Sequence, residues 1–230
     1  MDEFPELSLL CGKRKWEDAK VLIQEDPELL WKSRSIYGSP ASIIGQSYNM
    51  DMLEYMFNII CLYTTDRRLC FRQDVLGLVF EDYAWPSFVK CSRDVSFEQR
   101  KTFIEFFIRV CPSGPAILEK QFFPGTALHW IASCGKVEEL EYMLSRTLSG
   151  IQALYIEDRF SQTPVGKAGS GSVKEKIRKY FTPQKIQEIG LQNEIQLTVN
   201  YDFESNSLVA LILGIITQNT LVLLWRNKTR

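Results

Sequence analysis

His129 is the only histidine among the 230 residues, and it closes the pentad Gly125-Thr126-Ala127-Leu128-His129. A lone imidazole could act as a general base or as one ligand of a metal. Histidine-rich zinc sites need several rings, and a Ser–His or Cys–His nucleophilic pair would have to use this one. No nucleophile stands at a recognisable spacing from it, so a structural role is expected. The run Gly166-Lys167-Ala168-Gly169-Ser170-Gly171-Ser172 has the composition of a phosphate-cradling loop. A P-loop needs four residues between its first glycine and a Gly-Lys-Ser/Thr, behind a strand. The order here differs and the preceding segment reads as a turn, so a weak, glycine-rich helix is expected instead.

The six cysteines, Cys11, Cys61, Cys70, Cys91, Cys111 and Cys134, include no C-x-x-C pair. Most lie in apolar runs, where a free thiol behaves as a small hydrophobe. Cys134 beside Gly135 has only Lys136 as a neighbouring cation, so it too is expected to be a packed thiol. The first residues, Met1-Asp2-Glu3-Phe4-Pro5-Glu6, carry no basic stretch of a secretory signal. Together these features lead us to expect an intracellular, cytoplasmic setting.

With 27 basic and 28 acidic residues the formal net charge is −1, which offers no global field to attract nucleic acid. Lys13-Arg14-Lys15 adjoins Glu17 and Asp18 and reads as a solvated helix face. At 45% hydrophobic and 24% charged, the composition is that of a folded chain. No cofactor, no metal and no catalytic residue is expected.

The elements that would position these residues repeat. Met52-Leu53-Glu54-Tyr55-Met56-Phe57, Phe103-Ile104-Glu105-Phe106-Phe107-Ile108 and Glu139-Leu140-Glu141-Tyr142-Met143-Leu144 share one pattern of apolar residues around a glutamate. Each closes a helical stretch, and Phe103, Phe106 and Phe107 follow helical spacing as core. Upstream, Ser39-Pro40, Thr126-Ala127 and Thr163-Pro164 each follow a turn-like stretch. The hydroxyl residue is placed to cap a helix, and proline after it costs nothing at the first helical position. Small residues recur behind the cap at Gly45, Ala132, Ala168 and Gly169, and Gly135 reads as a helix stop.

This pattern resembles the ankyrin repeat family. Gly125 through Leu144 matches nearly all of that family's Gly, Thr-Pro-Leu-His, small-pair and Glu-rich second-helix signature, with Ala127 in place of the proline. The copies at 38–57 and 158–177 keep Ser-Pro and Thr-Pro but carry Ser42 and Gly166 where the histidine would be. A leading half-repeat runs from Cys11-Gly12 to Leu30. The resemblance implies an all-α, ankyrin-like helical solenoid of about four repeats over residues 8–181. It also implies that His129 ties neighbouring turns together, with the Thr126 hydroxyl as its local partner. Ser39 and Thr126 are 87 residues apart where two repeats would take roughly 66, so about 20 residues are extra. An insertion is expected at about 81–97, with a helix including Asp74–Phe80 before it and a helix at about Phe97–Val110 after it.

Aligning the turns on Ser39, Thr126 and Thr163 brings Ile36, Phe123 and Phe160 to one register, at a position that lies at a finger tip in the family and is usually polar there. An apolar row at the tips is a candidate partner-binding strip. The competing reading is that the insertion or the C-terminal segment covers it. The implied function is a non-catalytic protein–protein interaction scaffold or adaptor. The partner is another protein, not nucleic acid.

After residue 182 the character changes. Residues 182–207 form a linker in which Ile195–Phe203 alternates as a strand would. Leu208–Trp225 is apolar except for Thr217-Gln218-Asn219-Thr220. One reading is a C-terminal transmembrane segment at 208–225, making a tail-anchored membrane adaptor that recruits a cytosolic partner. Gln218 and Asn219 near the bilayer centre, and basic residues on the trailing side, count against it. The other is a turn at 217–220 within a small β meander that uses 195–203. Hydropathy favours the membrane reading.

Overall fold

The structure, a computed structural model, describes residues 6–32, 38–65, 69–91, 95–167, 171–182, 184–185 and 187–190. Ile36, Ala168, Gly169 and the C-terminal segment at 208–225 lie outside the described residues.

Among the described residues the chain is helical, without a strand ladder. The helices are α1 (Glu6–Gly12), α2 (Trp16–Glu25), α3 (Leu29–Lys32), α4 (Pro40–Ser47), α5 (Met50–Tyr63), α6 (Leu69–Leu76), α7 (Trp85–Lys90), α8 (Phe97–Val110), α9 (Ala127–Ser133), α10 (Val137–Arg146), α11 (Pro164–Lys167) and α12 (Gly171–Tyr180). A wider, π-type helical segment, Gly77–Ala84, joins α6 to α7 without a break.

The caps expected at Ser39 and Thr163 form, while the Thr126 hydroxyl faces the His129 ring. The Ser39 hydroxyl accepts from the Ser42 N–H at 3.2 Å and opens α4, with Pro40 at its first position. Ser96 and Gln99 make a reciprocal capping box at the start of α8. The Thr163 hydroxyl accepts from the Gly166 N–H at 3.1 Å. Gly135 ends the α9 turn at φ 67°, a left-handed conformation that costs glycine nothing.

Packing links α1 to α4, α4 to α7, α7 to α9 and α9 to α11. It also links α2 to α5, α8 to α10 and α10 to α12. Leu53, Ile104 and Leu140 occupy the same place in the glutamate-centred motif, as do Met56, Phe107 and Met143, and all six are fully buried. Phe103 and Phe106 are core as well. An aromatic cluster of Phe80, Trp85, Phe88, Phe103, Phe106 and Phe107 fills the centre. Phe88 lies 5.6 Å from Phe103, and Trp85 lies 5.2 Å from Phe107.

The segment expected as an insertion, 81–97, contains α7. Its Trp85, Pro86, Phe88 and Val89 are buried between α4 and α9. A stretch this apolar is more stable against the core than on a surface. The two helices expected on either side are present. Asp74–Phe80 is helical, and α8 has the bounds anticipated. Close approach here depends on Gly45, because a Cβ there would come within 2.3 Å of the Ala84 carbonyl oxygen.

Cys11 and Cys111 are buried, and burial pushes the Cys11 thiol up to about 12. Cys134 corrects the expectation of a packed thiol, since it is exposed. The helix ends at Ser133, one residue earlier, and its apolar side is already filled by Leu128, Ile131 and Ala132.

Candidate interaction surface

His129 has both ring nitrogens engaged. Its Nδ1 accepts from the Thr126 backbone N–H at 3.1 Å and lies 2.9 Å from the Thr126 hydroxyl. Because Nδ1 accepts, the neutral ring carries its proton on Nε2, which donates to the Gln162 carbonyl at 2.8 Å. The histidine therefore ties its own turn to the following one. Burial holds the imidazole below its ordinary pKa, opposed by the Gln162 carbonyl and by Asp158, while Lys167 acts in the same direction as burial. A ring that is 1% exposed with both nitrogens bonded has no free position for a proton transfer.

Gly125 permits this approach. A Cβ on it would meet His129 Cγ at 2.9 Å and Asp158 Cβ at 3.0 Å. Asp158 shapes the next turn, its Oδ1 accepting from the N–H groups of Phe160 at 2.8 Å and Gln162 at 3.0 Å. Burial alone would raise the Asp158 carboxyl, but these N–H groups and Lys167 at 3.2 Å hold it below the usual carboxylate range.

The two turns are joined directly. Within the first, the Phe122 N–H donates to the Gly125 carbonyl at 2.9 Å. Between them, the Arg159 N–H donates to the Pro124 carbonyl at 3.2 Å, and the Gln121 amide donates to the Glu157 carbonyl at 2.9 Å.

At the tips of these joined turns stand Phe123 and Phe160, 63% and 59% exposed. The Arg159 guanidinium lies 4.7 Å from the Phe123 ring centre, and the Lys167 ammonium lies 5.2 Å from that of Phe160. Lys90 adds a third cation, 5.4 Å from both the Phe122 and the Trp130 rings. Partial burial holds the Lys90 amine below its ordinary pKa. Of the three residues expected at the tips, Phe123 and Phe160 stand on linked turns with their rings in solvent, and Ile36 lies outside the described residues.

Of the glycine-rich run at 166–172, Gly166 and Lys167 end α11, Gly171 and Ser172 open α12, and 168–170 lie outside the described residues. Its Lys167 points to Asp158 and Phe160.

Two polar features were not anticipated. The first is a buried ion pair, in which Arg100 Nε on α8 donates to both carboxylate oxygens of Glu139 on α10 at 2.7 Å, with side-chain exposures of 1% and 3%. Arg100 Nη1 also donates to the Tyr48 hydroxyl, and the guanidinium stands 4.9 Å from the Phe88 ring. The signal for burial was available: Arg100 falls on the stripe of Phe103, Ile104 and Phe107, three, four and seven residues on. The second is a series of contacts from the motif glutamates to a later helical segment. Glu54 faces Arg109 at 3.9 Å. Glu105 accepts from Arg146 at 2.7 Å and from the Tyr142 hydroxyl. Glu141 pairs with Lys185 at 2.6 Å and accepts from the Tyr180 hydroxyl.

Comparison with known proteins gives no match to any family model, curated protein or solved structure. Among the described residues no group of three or more His, Cys, Asp or Glu side chains could hold a metal ion, and no helix is long and apolar enough to cross a membrane.

Proposed function

We propose that this chain is a non-catalytic protein–protein interaction module built on divergent ankyrin-like repeats, and that it binds its partner through the turn tips. The observation that carries the reading is the exposure of Phe123 and Phe160 at two consecutive, hydrogen-bonded turns. Exposed aromatic rings on a rigid support give a large apolar contact at little cost in side-chain entropy.

The repeat reading draws support from three further features. Helices α9 and α10 pack on each other, as do α1 and α2, and α4 and α5. The motif glutamates each reach a cation on a later helical segment. His129 joins one turn to the next through Gln162. With α7 and α8 taken as the two helices of the divergent repeat, the extra residues fall in α6 and Gly77–Ala84.

Arg159 stands over Phe123 and Lys167 over Phe160, with Lys90 over Phe122 and Trp130, so the complementary partner is an acidic segment carrying an apolar anchor. The test compares proteins retained by immobilised wild type and by the Phe123→Asn/Phe160→Asn double variant. The reading expects a salt-sensitive, acidic set lost from the variant while its circular dichroism and melting point stay unchanged. Equal retention by the two would sink it, and an unfolded variant would make the row core.

The alternative is a tail-anchored adaptor, in which residues 208–225 span a bilayer and the repeats recruit a cytosolic partner. What favours it is the apolar run Leu208–Trp225.

A further inference from the structure

The Phe123 and Phe160 rings stand in solvent, and helix α7 of the segment 81–97 does not cover them, being buried between α4 and α9. Arg159 over Phe123 and Lys90 over Phe122 have no ion-pair partner among the described residues. Lys167 is shared with Asp158, whose carboxylate also accepts from two N–H groups of its own turn. Glu157, exposed beside Asp158, is the one other acid of that turn. The tips therefore keep a positive excess beside two exposed aromatic rings. Carboxylates next to aromatic side chains would complement such a surface.

This chain carries such a segment. Tyr201-Asp202-Phe203-Glu204 alternates aromatic and acidic residues. From Ile186 to Trp225 there is no lysine or arginine, while Glu188, Glu194, Asp202 and Glu204 are acidic. The apolar run Leu208–Trp225 has no charged residue and offers the cations nothing. Residues 201–204 lie outside the described residues, which end at Gly190. The chain reaches that point beside the repeats that bear the tips. Helix α12 packs on α9 and α11, the helices that follow the two tips, and Lys185 pairs with Glu141 of α10. The eleven residues from Leu191 to Tyr201 can span about 36–40 Å when extended, whereas the seven-residue α9 is about 10 Å long.

We infer that Tyr201-Asp202-Phe203-Glu204 docks on the Phe123 and Phe160 tips of its own chain, with its rings against theirs and its carboxylates toward Arg159 and Lys90. This closure regulates the interaction surface proposed above and rests on that reading. A tethered segment competes at an effective concentration in the millimolar range, so it weakens capture of a separate partner without abolishing it. A partner displaces it by presenting the same acidic and aromatic chemistry more tightly.

The test places photoreactive p-benzoylphenylalanine at position 203 of the full chain, irradiates it at low micromolar concentration and maps the cross-link by mass spectrometry. A cross-link within one chain to 121–125 or 157–162 is expected. Its yield should fall about threefold or more in about 1 M NaCl and in Arg159→Glu. A free peptide with the sequence of 199–206 should bind the full-length Tyr201→Ser/Phe203→Ser variant about tenfold or more tighter than wild type, whose tips are occupied. Cross-links that miss both turns, cross-links to the turns of a second copy, or equal peptide affinity would each overturn closure. Should closure fail while Phe123→Asn/Phe160→Asn still loses its acidic set, the tips bind a separate protein and the tip reading stands. An intramolecular cross-link at the tips with equal retention by wild type and that variant would instead keep closure and sink the tip reading.

Discussion

The His129 ring sits where a capping box normally places glutamate or glutamine, three residues after the Thr126 cap. The imidazole does the job of that position, accepting at Nδ1 from the Thr126 N–H, and beyond it donates at Nε2 to the Gln162 carbonyl. Its folded-state pKa is lowered from the ordinary 6.5, chiefly by burial, so the unfolded chain binds the proton more readily. The stability this site contributes is therefore present above about pH 6.5 and is lost as pH falls through the lower folded value. As the sole histidine, it should show one imidazole Hε1 signal titrating below the ordinary value. His129→Gln keeps the capping acceptor and removes the titration. Its urea midpoint should change less than that of wild type between about pH 7 and about pH 5. An equal slope in both would place the pH dependence elsewhere. The local part of this site was legible because Thr126 and His129 are three residues apart on one helical turn. Neither the Gln162 carbonyl nor the pairing of Arg100 with Glu139, 39 positions on, leaves a periodic trace. Sequence pattern puts Arg100 on a buried stripe but cannot say which carboxylate meets it.

Among the elements, helices with one buried face were readable, whereas the largely buried run from Val75 to Val89 was readable only in part. Helix α8 carries its apolar residues on one side behind a Ser96 cap, and its bounds follow from that pattern. From Val75 to Val89 the core residues are Val75, Leu76, Val79, Phe80, Ala84, Trp85, Phe88 and Val89. With neighbours on several sides the exposed polar face shrinks to Asp82, and the run no longer announces where a helix changes pitch or which partner it meets. Gly45 reports the contact that resulted. Gly45→Ala would drive a methyl group into the Ala84 backbone, a rigid neighbour, and should cost about 1–3 kcal/mol. Gly12→Ala meets nothing within 4 Å and should be neutral or gain about 0.5–1 kcal/mol from helix propensity. Urea unfolding of the two variants separates a close helix approach from a general intolerance of alanine. Comparable midpoints would mean that α4 can move away from Ala84.

For the molecule as a whole, the described helices leave the role of the C-terminal segment to be decided by partition. The tail-anchor reading makes 208–225 the span, with Arg226, Lys228 and Arg230 beyond it. The polar group Thr217-Gln218-Asn219-Thr220 sits near the middle of that run, where each unpaired amide would cost free energy in hydrocarbon. An 18-residue helix rises about 27 Å, at the short end of what a hydrocarbon core needs. The meander reading trades those costs for apolar side chains that must be covered by another surface. Carbonate extraction of the full chain beside a form ending at Ser207 distinguishes them. The anchor reading expects the full chain in the carbonate-resistant pellet and the shorter form in solution with an unchanged helical spectrum. If both are extracted and the shorter form has lost cooperative unfolding, the segment completes the fold and the span is refuted. If both are extracted and fold alike, the segment is neither span nor core, and the tips alone must account for any partner retained.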